Sequence, residues 1–373
     1  MRLRFLFILL LPTFIFAEDL DGMFDDNLDD MFGDDSELVI EVTEEDMTQN
    51  MENIFLTQDE TFIGGEISFS VKGVVATDPK IKEKSTPSLS SDLFIDARPD
   101  EDFRGFIKGT ITVPFSEEET AAQFDITEIF TDFNYNDMLY FRAGKYKINW
   151  GVGRYFSPAD VLNITEIDIN DPDAPRVGPV SLKTNMPLGL NNLNLYLVAP
   201  NGYDSVLDTV IATDYSFILG DSELSLGAVM LEPTKVNGVA TLSTALNGVN
   251  IYSELVALFD EEFDFQGTVG ASYRFSSEEI ETSLNLNGEY YYNGVTDQHN
   301  LITAFSLNNI LDSGVGLSVT NRNEFSTLAG SIRGNITYKL IDLFSLSAGV
   351  DYNYIDNTPI VANFSVGLGG GDF

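Results

Sequence analysis

Cysteine is absent from all 373 residues. Disulfides, thiolate metal sites and a lipid anchor on a cysteine at a cleavage point are therefore excluded. Histidine occurs once, at His299. A hydrolase would need that ring as a base beside a nucleophile or an activated water, and nothing around Gln298-His299-Asn300 supplies one. No enzymatic role is expected, and a hydrated loop histidine is the plainer reading. There is no glycine-rich phosphate loop and no metal-ligand pair, so no cofactor or metal is expected either. Basic residues are scarce: 20 Lys and Arg face 59 Asp and Glu, for a net charge of −39. Such a surface repels nucleic acid and limits contact with anionic lipid unless cations bridge the two.

Long apolar runs are also missing. The one at Phe5–Phe16, behind Arg2 and Arg4 and ahead of Ala17, has the pattern of a secretory signal covering residues 1–17. At twelve residues it is too short for a bilayer-spanning helix, and no later stretch approaches the roughly 20 apolar residues such a helix needs. Cleavage removes two positive charges and leaves a mature chain near −41.

Residues 18–60 contain seventeen Asp and Glu and no Lys or Arg, which opposes compaction and predicts a disordered periplasmic arm. Two echoes stand inside it, Met23-Phe24-Asp25-Asp26 and Met31-Phe32-Gly33-Asp34. They are either incidental in a solvated tail or anchors for a periplasmic partner, to which residues 37–42 could add a strand.

From residue 61 to residue 373 the period is two. Ile63, Ile67, Phe69 and Val71 share one face while Glu66, Ser68 and Ser70 share the other. Leu284, Leu286, Tyr290 and Tyr292 alternate with Ser283, Asn285, Asn287 and Glu289, and the pattern recurs over residues 328–340 and 344–354. Segments of about 9–14 residues fit tilted strands crossing a bilayer better than the short strands of soluble sheets. Tyrosines at segment ends, as in Tyr290-Tyr291-Tyr292, suit an interfacial girdle. Turn signals at Gly220-Asp221, Asn237-Gly238, Asn247-Gly248, Ser276-Ser277 and Asp312-Ser313-Gly314 divide the segments. The expected fold is all-β: a transmembrane antiparallel barrel of about 16–18 strands in the outer membrane, with the segments at 88–98 and 178–186 the weakest. Its environment would be outer-membrane lipid, as a monomer or homotrimer.

One stretch breaks the rhythm. A strand-like run ends at Trp150-Gly151-Val152-Gly153, and roughly thirty irregular residues, 149–178, follow. Loops that long are functional or disordered, and this one carries many fixing residues, including the sole tryptophan. Two glycines permit a sharp bend that Trp150 could wedge against a barrel wall. Arg154 and Arg176 bracket Asp160, Glu166, Asp168, Asp171 and Asp173. Folded inward, these charges would set a transverse field across a constriction; folded outward, they would be a solvated external loop. Asp168-x-Asn170-x-Pro172 begins like a calcium loop, but Asp173 and Pro179 stand where glycine and glutamate are needed. Loose calcium binding by these acids stays open. Lys145 and Lys147 share parity with Phe141 against Arg142, so one register or the other exposes basic groups to lipid unless a bulge or the strand's end intervenes.

Gly144-Lys145-Tyr146-Lys147-Ile148-Asn149-Trp150-Gly151 and Pro158-Ala159-Asp160-Val161-Leu162-Asn163 resemble a motif of porin-like outer-membrane barrels of diderm bacteria. There a strand ending Gly-Lys-Gln-x-Ile-x-Trp-Gly enters a loop with a Pro-x-Asp-x-Leu-Asn core; here Tyr146 takes the place of the glutamine. With the signal and the acidic arm, the chain resembles such a protein of a spirochaete. The C-terminal Phe373 resembles the signal read by the barrel assembly machinery, although Gly369-Gly370-Gly371-Asp372 interrupts the alternation before it. The resemblance implies a channel for passive passage of small solutes, with 150–178 as candidate constriction. The region 61–373 holds 42 acidic and 18 basic residues, so cation preference is expected if the acids line the lumen. The alternative is a closed barrel acting as an adhesin or envelope protein, with the same loop as plug.

Overall fold

Alternation of side chains makes each segment two-faced, and strands of that kind bury both the polar face and the backbone groups only by pairing into a closed ring. The structure is a computed structural model that describes residues 60–369 apart from 77–83, 101, 116–120, 171, 173, 175, 201–204, 206–207, 233–234, 261–262, 278–281, 342–343 and 355–360. The signal peptide, nearly all of the acidic arm and Phe373 lie outside the described residues.

Eighteen strands follow one another as β1 (Glu60–Ala76), β2 (Lys84–Asp100), β3 (Phe103–Pro114), β4 (Gln123–Tyr135), β5 (Leu139–Lys145) and β6 (Val180–Leu188). Next come β7 (Asn191–Ala199), β8 (Val210–Leu219), β9 (Ser222–Glu232), β10 (Lys235–Leu246), β11 (Val249–Phe259) and β12 (Phe263–Ser277). The ring is completed by β13 (Thr282–Asn293), β14 (Gln298–Asn308), β15 (Val315–Glu324), β16 (Ala329–Ile341), β17 (Phe344–Asn353) and β18 (Val361–Gly369). Every strand pairs antiparallel with its sequence neighbours, and β1 pairs with β18 from Ser68↔Gly369 to Ala76↔Val361, which closes the barrel. Both weak segments are strands, β2 and β6.

The two faces are read directly from exposure. On β11 Leu255 is 50% exposed and points outward, while Tyr252, Glu254 and Val256 on the opposite parity are buried inside. Leu195, Leu197, Ile211, Leu226, Val269 and Leu286 are likewise exposed outward, giving an apolar exterior suited to lipid. Phe133 and Phe141 stack on this outer face at 4.9 Å across the β4–β5 pair.

One expected turn is corrected. Asn237-Gly238 lies inside β10, where Asn237 is buried and pairs with Val229 and Leu258; the chain reverses instead between Glu232 and Lys235. Pairing Asn237 and Gly238 in ladders to both β9 and β11 satisfies more backbone groups than a reversal at these two residues would. At Asn247-Gly248 the expected hairpin turn is present, both residues having positive φ (51° and 76°). The lysine conflict on β5 is settled by the strand's end. Arg142 faces inward to Asp132, and Lys145 is the last strand residue, its Nζ donating to the Ile126 carbonyl at 2.6 Å.

Candidate functional site

Between β5 and β6 the described residues of 146–179 form neither helix nor strand. Their neck stays narrow: the Tyr146 N–H donates to the Pro179 carbonyl at 3.3 Å. The Pro158–Asn163 motif then closes the loop on itself. The Asn163 Oδ1 accepts from the Ile148 N–H at 2.8 Å, and its Nδ2 donates to the Ile148 carbonyl and to Asp160 Oδ1, both at 2.6 Å. Asp160 pairs in turn with Arg176. Burial pushes the Asp160 carboxyl up from its ordinary range, and the Arg176 guanidinium and the Asn163 amide pull it back. Two motif side chains, Asp160 and Asn163, together with Arg176 therefore make a clasp that brings the two arms of a long excursion together.

The closed loop sits within the ring. Tyr146, Ile148, Trp150, Ala159 and Leu162 pack with Tyr196, Val198, Ala212, Val229, Val239 and Val256 on the inner faces of β7–β11. Each fully buried large apolar side chain contributes about 1.5–3 kcal/mol relative to exposure, so this patch is a strong reason for the inward position. Trp150 meets Tyr196 edge-to-face at 5.1 Å. Gly227 leaves room for it, since a Cβ there would lie 3.0 Å from Trp150 Cζ2.

Further along, residues 152–159 reach β11–β13, six to eight strands round the ring from where the loop starts. Two rows of inner residues in register meet them: Glu254, Thr268 and Tyr291, and Tyr252, Gly270 and Glu289. The Thr268 hydroxyl donates to the Phe156 carbonyl at 2.8 Å, and Phe156 stacks on Tyr291 at 5.1 Å and 13°. Glu254 and Glu289 accept from the loop backbone. The loop's far part approaches β16, where Arg333 Nη1 lies 3.5 Å from the Asn170 carbonyl.

The site residues named from sequence thus fall into separate places. Trp150 and Gly151 lie on the wall side of the loop, Gly153 and Arg154 turn their N–H groups to Glu254 and Glu289, and Asp160 and Arg176 face one another. Asp168 is exposed, and Asp171 and Asp173 lie outside the described residues. Sequence reasoning placed Glu289 on a polar strand face without assigning it a partner and passed over Glu254. Each is an isolated acid at inward parity, and the only signal was that parity.

What lines the remaining space is charge of both signs. A cavity of about 590 Å³ runs between the loop and the inner faces of β2–β10. In one row, Arg104, Asp132, Arg142 and Lys183 stand opposite one another on β3 to β6. Arg142 forks onto Asp132 at 2.7 and 3.1 Å and lies over the Phe130 ring at 4.3 Å. Arg104 forks onto Asp96 at 2.9 and 3.1 Å and stands 3.6 Å from Asp132. Across from this cluster, Asp214 on β8 and Glu223 on β9 line the same cavity. Among the described residues no group of three or more His, Asp or Glu is placed to hold a metal ion.

A closed 18-stranded ring of antiparallel strands with an apolar exterior and a polar interior is the architecture of an outer-membrane β-barrel. Solved structures agree on that fold. The outer membrane protein OpdK of Pseudomonas aeruginosa superposes with a TM-score of 0.55 at 8% identity, over 84% of this chain and 99% of that one. Pseudomonas aeruginosa OccK9 gives 0.57 at 7% identity, over 83% and 98%. Acinetobacter baumannii OccAB4 gives 0.54 at 10%, over 85% and 99%. No protein-family model and no curated protein matches the sequence.

Proposed function

We propose that the chain is an outer-membrane channel for the passive passage of small hydrophilic solutes, with residues 146–179 as its constriction. The observation that carries this reading is the loop's position: it lies within the ring, held at both ends, and leaves a cavity of about 590 Å³ beside it whose wall carries charges of both signs. Solutes large against that volume would be excluded, and smaller ones would pass a wall that offers hydrogen bonds and charge of both signs. Net charge of the whole barrel favours cations at its mouths. The cavity wall itself holds Arg98, Arg104, Arg142, Lys147 and Lys183 against Asp132, Asp214 and Glu223, so we propose a modest cation preference, opposed at the narrow part.

The test is single-channel conductance of the refolded mature protein in a planar bilayer beside a variant lacking residues 152–176. Conduction by the intact protein, and larger conduction by the deletion, is the expected result. If the intact, heat-modifiable barrel does not conduct and the deletion does, the loop is a plug and the reading as an open channel fails. Silence from both would leave a closed barrel with a surface role.

A further inference from the structure

We propose that Glu254 and Glu289 are a pair of carboxylate latches that fix residues 152–159 across the lumen and thereby set the open bore. The inference rests on the constriction reading above and names the residues that enforce it.

Residues 152–159 belong to no helix or sheet, so their N–H groups need acceptors from elsewhere. Two side chains supply nearly all of them. Glu254 accepts from the N–H groups of Val152, Gly153 and Ala159, the last at 3.0 Å, and from the Ser157 hydroxyl at 2.9 Å. Glu289 accepts from the N–H groups of Arg154, at 2.9 Å, Tyr155, at 3.1 Å, and Phe156, and from the Tyr252 hydroxyl at 2.7 Å. An ionised carboxylate has about four lone-pair sites and no donor, which matches four donors apiece. Bonds from N–H to a charged acceptor are roughly twice as strong as neutral ones. Glutamine would turn an amide donor toward N–H groups, so it is not a conservative replacement here.

Position points the same way. Both glutamates are buried, at 3% and 1% exposure, on strands remote in sequence from the loop. Neither takes part in the ion pairs resolved between Lys or Arg and Asp or Glu among the described residues, which fall elsewhere on the inner wall, on the clasp and at the strand ends. Their acceptor capacity is spent on the loop and on Tyr252.

The experiment places a reporter cysteine at Ala159, which is fully buried, in this otherwise cysteine-free chain. Reaction of A159C with a membrane-impermeant maleimide is followed in the refolded full-length mature barrel, alone and combined with E254A/E289A. Conductance is recorded for the same proteins without the reporter, and for E254A/E289A in the barrel lacking 152–176. We expect the double substitution to speed labelling by about tenfold or more, as local opening becomes cheap. It should also raise conductance in the intact barrel and change nothing in the deletion, because the glutamates act through the loop. Unchanged labelling in a folded, heat-modifiable double variant overturns the proposal, as does an equal conductance change in the loopless barrel. Faster labelling with unchanged conductance keeps the latch and sinks the constriction reading instead. Should the double variant not fold, E254Q and E289Q singly carry the test: faster labelling in either supports the latch, and wild-type rates in both overturn it.

Discussion

Gly151 shows how much the inward loop asks of single residues. Its φ of +96° lies where side chains are disfavoured, and a Cβ there would overlap the Ser157 hydroxyl and stand 2.7 Å from Glu254 Oε1. Alanine at this position must therefore strain the backbone and push on a latch at once. We expect G151A to weaken loop docking by about 1–3 kcal/mol, the scale of a strained backbone position. The readout is the emission of Trp150, the sole tryptophan, which is 8% exposed against Tyr196. G151A should red-shift that emission and make it more open to acrylamide, with heat-modifiability retained; unchanged emission and quenching would mean that the loop tolerates the Cβ. The motif residues carry a comparable lesson. Asp160 reads in the sequence as one of several loop acids between Arg154 and Arg176, and Asn163 as the last residue of the Pro158–Asn163 motif; only the fold reveals Asn163 as the clasp on Ile148 and Asp160 as the partner of Arg176.

At the scale of the strand, face assignment makes its own prediction. Leu255 points to lipid and its neighbours Glu254 and Val256 point inward, near the middle of β11. L255R should cost about 2–4 kcal/mol of barrel stability, as a charge facing hydrocarbon near the midplane does. Unfolding in urea from lipid vesicles measures it, and a neutral result would mean that the register of β11 is wrong. Such registers were legible in the sequence because period-two alternation is local: Ile63 against Glu66, or Leu286 against Asn287, states the face without reference to any other strand. The two weak segments became β2 and β6 because neighbours on both sides pair with them, which no single segment shows. Asn237-Gly238 misled for the opposite reason, its turn chemistry being outvoted by the ladders to β9 and β11. Whether residues 146–179 turn inward was not legible at all. That depends on the apolar inner faces of β7–β11 and on Glu254 and Glu289, the glutamates roughly a hundred residues or more away and indistinguishable in the sequence from any other lumen acid.

For the molecule as a whole, two sources of charge compete, and salt separates them. The barrel region carries 42 acidic and 18 basic residues, a field acting at a distance, whereas the narrow part is lined by five basic and three acidic groups acting at contact. Screening reaches about 10 Å at 0.1 M salt and about 3 Å at 1 M, so distant acids lose influence first. Reversal potentials in a KCl gradient should accordingly show cation preference at low salt that fades toward 1 M. R142Q removes one basic group from the wall and leaves Asp132 with Arg104 3.6 Å away. It should shift the reversal potential toward cations at both salt concentrations, because a solute passing the cavity meets that wall within a few ångströms. A preference equally strong at 1 M, and indifferent to R142Q, would place the selecting charges elsewhere than this cavity. If the R142Q shift persists at 1 M while the overall preference fades, the mouths attract and the wall beside the loop decides.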